Sequence, residues 1–271
     1  MKPTTLVRIP NSTPKRRSIG KIIGRIALLL LVILLAVVIG FAIWARSATP
    51  MEEALPALQS DAAVNVDSSR WYEFTPVDAN PVVGLIFYPG GRVEPRSYAP
   101  FMRQIAEAGY YAVIVPMPLN HAVFSPNKAA EVIAAHPEIT KWVIGGHSLG
   151  GAMAALYTDS HSDQIDGLVL WGSYPADANS LADQPDLAVA SIYGTMDGLI
   201  SQNDIDQSKP LLPTSAQFVP IEGGNHAQFG WYGNQAGDSM ATISRDEQMA
   251  LTVAATVAVL EKVAVLEKVA K

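Results

Sequence analysis

From residue 26 to residue 44 the chain reads IALLLLVILLAVVIGFAIW, with no charged or hydrogen-bonding side chain except the indole of Trp44. As a helix at 1.5 Å per residue this run is about 28 Å long, close to the hydrocarbon thickness of a bilayer. A buried helix of that length in a water-soluble domain would show a polar stripe. This run shows none, so a transmembrane signal anchor over 26–44 is expected. Residues 45–70 then turn to Ala, Ser, Pro, Asp and Glu and read as a linker with a helical turn or two.

After the linker the pattern changes period. Trp71 to Thr75 alternates polar and apolar and predicts an edge strand. Apolar runs at 82–88, 111–115, 142–144, 165–171, 188–193 and 217–221 predict buried strands. Between them lie stretches of helical spacing. Pro100 to Ala108 puts Phe101, Ile105 and Ala108 on one face and stops at Gly109. Ser125-Pro126 offers a cap and first-turn proline for a helix to Ala135. Further helices are expected over 151–157, over 205–211 and from Ser244 to the C-terminus. Strands apolar on both faces that alternate with helices indicate an α/β fold with a mostly parallel, doubly covered sheet. The organisation expected is a basic cytoplasmic segment (1–25), the anchor (26–44), the linker (45–70) and one α/β domain (71–271).

Charge sharpens the placement. Residues 1–25 hold seven basic side chains and no acid, so the N-terminus is expected in the cytoplasm by the positive-inside rule, with the domain extracytoplasmic. A cleaved signal peptide, with Ala45, Ser47 and Ala48 near the cut, is the rival reading, although its apolar core would be unusually long. The rest of the chain carries 12 basic against 25 acidic residues, a poor surface for nucleic acid. The absence of cysteine excludes disulfides, thiolate metal sites and a cysteine nucleophile.

Ligands of parallel sheets bind at the carboxyl ends of the strands, so the residues just past each run carry the chemistry. After the 142–144 run stands Gly146-His147-Ser148-Leu149-Gly150, a Gly-x-Ser-x-Gly pattern between strand and helix. After the 188–193 run comes Gly194-Thr-Met-Asp197-Gly198, and after the 217–221 run Glu222-Gly-Gly-Asn-His226. Ser148, Asp197 and His226 thus follow the order of one known serine triad. A serine hydroxyl needs an imidazole to take its proton as it attacks, and the carboxylate holds that imidazole in the working tautomer. Asp177, Asp183, Asp186 and Glu222 compete for the acid role but are less well placed after a strand. His147 reads as a packing residue. Two backbone N–H groups must receive the oxyanion: Leu149, and either Gly91 or Arg92 in the loop after residue 88. Arg92, Asn120, His121, Trp171, Tyr174 and Met196 stand at or past strand ends and are expected to line the substrate site.

Together Phe87-Tyr-Pro-Gly-Gly91, Gly145-Gly-His-Ser-Leu-Gly-Gly151, Gly194-Thr-Met-Asp-Gly198 and Gly223-Gly-Asn-His226 resemble the α/β-hydrolase superfamily over roughly residues 70–265. Within it the chain looks most like the compact, cap-poor branch that includes dienelactone-hydrolase-like proteins and membrane-tethered bacterial members. It departs from dienelactone hydrolases in carrying Ser148 where they carry Cys, and from many lipases in carrying Pro-Gly-Gly where they carry a His-Gly motif. Residues 171–188 are too few for the helical cap that many relatives insert there. The resemblance implies hydrolysis of an ester or related acyl bond of a small-molecule substrate in an open cleft, with no cofactor and no metal. A catalytically silent binding or scaffold module is the alternative, and within enzymes a thioesterase or peptidase. The Gly/aromatic loop 228–238 either shapes the pocket or only joins the last helix. The repeated Val-Ala-Val-Leu-Glu-Lys of the tail reads as a plain helix extension.

Overall fold

The computed structural model describes residues 19–45 and 48–269, in two units, Met1–Ile43 and Trp44–Lys271. Most of the expected cytoplasmic segment, residues 1–18, lies outside the described residues, as do Arg46 and Ser47 of the expected linker. The first unit is carried by helix α1 (Ile19–Ala45). Its stretch Gly20–Trp44, 25 residues, is long and apolar enough to cross a membrane. Leu28, Leu31, Val37 and Ile43 are all exposed along it, the surface a hydrocarbon environment would cover.

The second unit is built on an eight-stranded sheet. In chain order its elements are β1 (Val64–Asp67), β2 (Tyr72–Pro76), β3 (Val83–Tyr88), α2 (Ala99–Glu107), β4 (Tyr111–Ile114), α3 (Ala129–Ala135), β5 (Lys141–His147), α4 (Leu149–Ser160), β6 (Gly167–Trp171), β7 (Ala188–Gly194), α5 (Gln202–Ser208), β8 (Gln217–Ile221) and α6 (Arg245–Val269). The strand order is β1-β2-β4-β3-β5-β6-β7-β8. From β4 to β8 every pairing is parallel, and β1 and β2 add an antiparallel edge.

Alternation along the strands explains the covering of both faces. Leu85, Phe87, Val143 and Val169 point into one core with Phe101, Met102 and Ile105 of α2 and Val253 and Leu260 of α6. Ile86, Tyr88, Ile144 and Leu168 point into the other, with Val132 of α3 and Ala154, Ala155 and Tyr157 of α4. Helix α6 is also long and apolar enough to span a bilayer, but Met249, Val253, Leu260 and Val263 are buried against the sheet, which makes it a core helix.

Three local expectations change. The stretch read as linker carries a 3-10 segment at Glu52–Leu58 and strand β1, so β2 is not the edge. In Val64-Asn-Val-Asp67 only two apolar residues alternate, too short a pattern to stand out, and the Asp61 carboxylate starts the strand by accepting the N–H groups of Ala63 and Val64. The helix expected from Ser125 begins at Ala129, because the Tyr88 hydroxyl from β3 accepts the Ala129 N–H and donates to the Pro126 carbonyl, both at 2.8 Å. Strand β5 runs on through Gly145 and Gly146 to His147, paired residue by residue with β6. Residues 172–187, between β6 and β7, form turns without a helix, so no helical cap stands there.

Candidate active site

The sheet brings Ser148, Asp197 and His226 to its carboxyl edge, after β5, β7 and β8. Ser148 sits at φ 52°, ψ −124°, between the end of β5 and the first residue of α4. A non-glycine residue at positive φ is strained and persists only where its surroundings hold it. Its N–H donates to the Trp171 carbonyl at 3.0 Å, and its carbonyl accepts the Ser173 hydroxyl at 2.7 Å. The turn closes so tightly that a Cβ on Gly146 would lie 2.5 Å from the Gly150 carbonyl carbon, and one on Gly150 would lie 2.1 Å from the Tyr88 carbonyl oxygen.

Asp197 and His226 form a buried pair. The His226 Nδ1–H donates to Asp197 Oδ2 at 2.8 Å, with the side chains 1% and 0% exposed. The other carboxylate oxygen accepts the N–H groups of Leu199 (2.8 Å) and Ile200 (2.7 Å). The carboxylate is thereby oriented from both sides. His226 Nε2 is buried and has no hydrogen-bond partner among the described residues, Ser148 included. Its ring lies 4.4 Å from that of His147, the residue before Ser148, so the histidine loop packs against the elbow. Hydrogen bonds between base and nucleophile are often long without substrate and tighten when it binds.

Two side chains that sequence reading passed over hold the histidine loop. Asp238 Oδ1 accepts from the N–H groups of Gly198 (2.9 Å) and His226 (3.3 Å), and its Oδ2 from that of Ala227 (2.8 Å), tying the acid loop to the histidine loop. Gln248 of α6, fully buried, accepts the Asn225 N–H at 3.0 Å and donates to the Asn225 carbonyl at 2.7 Å. The Gly/aromatic loop therefore does more than join elements.

His147 is more than packing as well. Its Nδ1 is the acceptor for the Tyr98 hydroxyl at 2.9 Å, and that hydroxyl accepts the Gly90 N–H at 3.0 Å. The fully buried Tyr98 thus joins the loop after β3 to the elbow. A Cβ on Gly90 would lie 2.7 Å from His147 Nδ1, so glycine is required there. Burial, with the charge of His226 adding, holds the His147 pKa well below its ordinary 6.5. A neutral ring there does not oppose positive charge on His226.

Of the two oxyanion alternatives, the Arg92 N–H is already given to the Asn120 carbonyl at 2.8 Å. The N–H groups of Gly91 and of Leu149, the latter at the first position of α4, make no hydrogen bond among the described residues. The two residues adjoin, since a Cβ on Gly91 would lie 3.2 Å from Leu149 Cδ2. The expected substrate residues scatter. Trp171 is fully buried against Phe87 and Phe101 and donates its Nε1–H to Thr256, so it belongs to the core and not to a substrate wall. Its position at a strand end suggested the opposite, but the pleat turns it inward. Tyr174 lines a small separate cavity of 80 Å³ with Asp177 and Gln207. Met196 is partly exposed beside Asp197. His121 stacks on Trp44 at 6.0 Å, and Arg92 lies over the same Trp44 ring at 4.1 Å. A larger cleft of 500 Å³, lined by Lys141, Asp166 and Leu187, lies at the amino ends of β5 to β7, the edge opposite Ser148.

Known proteins can now be set beside this geometry. The model of the Alpha/beta hydrolase family matches residues 84–250. The proline iminopeptidase of Arabidopsis thaliana is 28% identical over 122 residues, covering 41% of this chain and 31% of its own. The chain therefore spans under a third of the length of that curated relative. The esterase domain of a Rhodothermus marinus protein superposes with a TM-score of 0.53 at 15% identity, over 70% of this chain and 92% of that one. Est1E from Butyrivibrio proteoclasticus gives a TM-score of 0.52 at 15% identity, over 76% and 100%. At such identities the likeness is one of fold, and it does not select the dienelactone-hydrolase-like branch. With the family model covering more than half of the chain, and the strand order and elbow that go with it, the chain belongs to the Alpha/beta hydrolase family.

Proposed function

We propose that the protein is a membrane-anchored serine hydrolase of carboxylesterase type, with Ser148 as nucleophile, His226 as general base and acid, and Asp197 as the carboxylate that orients it. The observation that carries this reading is the buried Asp197–His226 pair at 2.8 Å, whose outer nitrogen is unpartnered and whose imidazole lies 4.4 Å from the ring of His147, the residue before the strained Ser148. His226 Nε2 takes the hydroxyl proton as Ser148 Oγ attacks the acyl carbon. The Gly91 and Leu149 N–H groups receive the oxyanion. Collapse breaks the acyl–oxygen bond, His226 gives its proton to the leaving alcohol, and water then attacks the acyl-enzyme by the same route to release the acid and free Ser148. No cofactor enters these steps. The likenesses to an esterase domain and to a peptidase support acyl-transfer chemistry in this reading, and esters fit a site without a helical cap.

In this reading α1 is an uncleaved anchor with its basic N-terminus in the cytoplasm and the hydrolase domain outside. Labelling of the full chain by a fluorophosphonate probe, lost in Ser148→Ala, is the expected result. A folded protein that does not react refutes the hydrolase. Protease added to intact cells should reach the domain, and its protection there would reverse the topology.

A further inference from the structure

Beside the proposed oxyanion donor Gly91 lies a cavity of 240 Å³, walled by Gly91, Arg92, Val93, Ala48, Tyr232 and Gln235 among others. It belongs to the second unit and opens where the loop after β3 meets the Gly/aromatic loop. Its chemistry is one-sided. Among the described residues that wall it, Arg92 is the ionic side chain and none is a carboxylate. Gln235 Oε1 accepts the Tyr232 hydroxyl at 2.9 Å, which leaves the amide NH₂ as what Gln235 offers a ligand. The walls therefore present a positive charge and N–H donors, a setting for an acceptor that carries negative charge.

The cation is also held in place. Arg92 Nε donates to the Trp44 carbonyl at 3.1 Å, and the guanidinium lies over the Trp44 ring at 4.1 Å. Its backbone, at φ 66°, is fixed by the bond to the Asn120 carbonyl and by the Ala48 N–H on its own carbonyl. A guanidinium so restrained has little rotamer freedom left to lose on meeting an anion, and its fork suits a carboxylate. The size sets a limit as well. At 240 Å³ the cavity is small and suits a short arm.

We infer that this cavity is the subsite for a compact, carboxylate-bearing arm of the substrate, so that the enzyme prefers short esters carrying an anionic group. The inference rests on the hydrolase reading of Ser148, and the carboxylate can sit on the acyl or on the alcohol side. Two matched pairs separate these. Mono-4-nitrophenyl glutarate against 4-nitrophenyl pentanoate tests the acyl arm, and the butanoates of 4-hydroxybenzoate and 4-hydroxybenzamide test the alcohol arm. In one pair the full chain should favour the anionic ester by about tenfold or more in kcat/KM. Arg92→Gln should abolish that preference and Arg92→Lys keep part of it. Should Arg92→Gln fail to fold, Gln235→Glu serves. It retains an acceptor for Tyr232, adds a negative charge to the wall, and should bring the ratio to one or below.

Binding of the same esters to Ser148→Ala, by calorimetry, reads the subsite without turnover. Tighter binding of the anionic ester there, lost in Ser148→Ala/Gln235→Glu, with no turnover by the unaltered chain, supports the subsite and refutes the hydrolase. Turnover without anionic preference in either pair refutes the subsite and leaves the hydrolase standing. Neither binding nor turnover overturns both.

Discussion

The two halves of the candidate site are held by different means. Around Ser148 the restraint is chiefly steric: β5 turns into α4 so tightly, and α4 starts so close to the end of β3, that only glycine fits at 146 and 150, which holds the strained backbone in place. Around His226 the restraint is a set of side-chain hydrogen bonds from elsewhere in the chain, with Asp238 joining the acid and histidine loops and Gln248 gripping Asn225 from α6. Ser148 thus stands on rigid packing. His226 stands on separate hydrogen bonds, of which those from the half-buried Asp238 can be removed without opening a core.

That contrast can be tested from its most severe consequence downward. Asp197→Asn should cut kcat by about 10⁴ with little change in folding, because the amide favours the wrong imidazole tautomer. An unchanged rate would move the acid role elsewhere. Gly150→Ala acts on the other half and should cost roughly 3 kcal/mol or more of stability in denaturant unfolding, since its Cβ would meet the Tyr88 carbonyl oxygen at 2.1 Å. If it folds as well as the unaltered chain, the elbow is not held by packing. Asp238→Ala should lower kcat by about 10- to 100-fold with KM nearly unchanged and stability only modestly affected, and Asp238→Asn should fall between. Equal loss in both kcat and stability would make Asp238 a structural residue only.

The smallest effect concerns pH. Unfolded, His147 titrates near 6.5, whereas in the folded chain burial keeps it neutral to well below that value. Below pH 6.5 the unfolded state therefore binds a proton that the native state refuses, and stability falls as pH falls, by up to about 1.4 kcal/mol per unit, until the folded group itself titrates. Above 6.5 the slope from this group vanishes. Denaturation midpoints between pH 5 and 8 should show this decline, and His147→Gln should flatten it.

The same difference decides what could be read from the chain. The elbow was legible because the glycines that its close approaches require lie within Gly145–Gly151, a span that a motif covers. The sheet was legible because the parallel strands β3 to β7 are apolar on both faces, with only the edge strand β8 half exposed. Strand β1 was not, since its four residues gain their place only by pairing with β2. Nor was the role of Asp238, an ordinary acid among glycines, 12 residues from the histidine whose backbone it holds. Tyr98 gave no sign either: its hydroxyl matters only once the chain folds it between Gly90 and His147. Trp171 misled because a strand end says which edge a residue is on and not which face it takes.

The Gln248–Asn225 bonds have a consequence for motion. The Asn225 amide hydrogen is given to a side chain on α6, a helix packed into the core by Val253, Leu260 and Val263. A surface loop ordinarily opens by itself and lets its amides exchange with solvent readily. The Asn225 amide should instead exchange on the slow timescale of α6, so that the loop bearing His226 unfolds with the core and not before it.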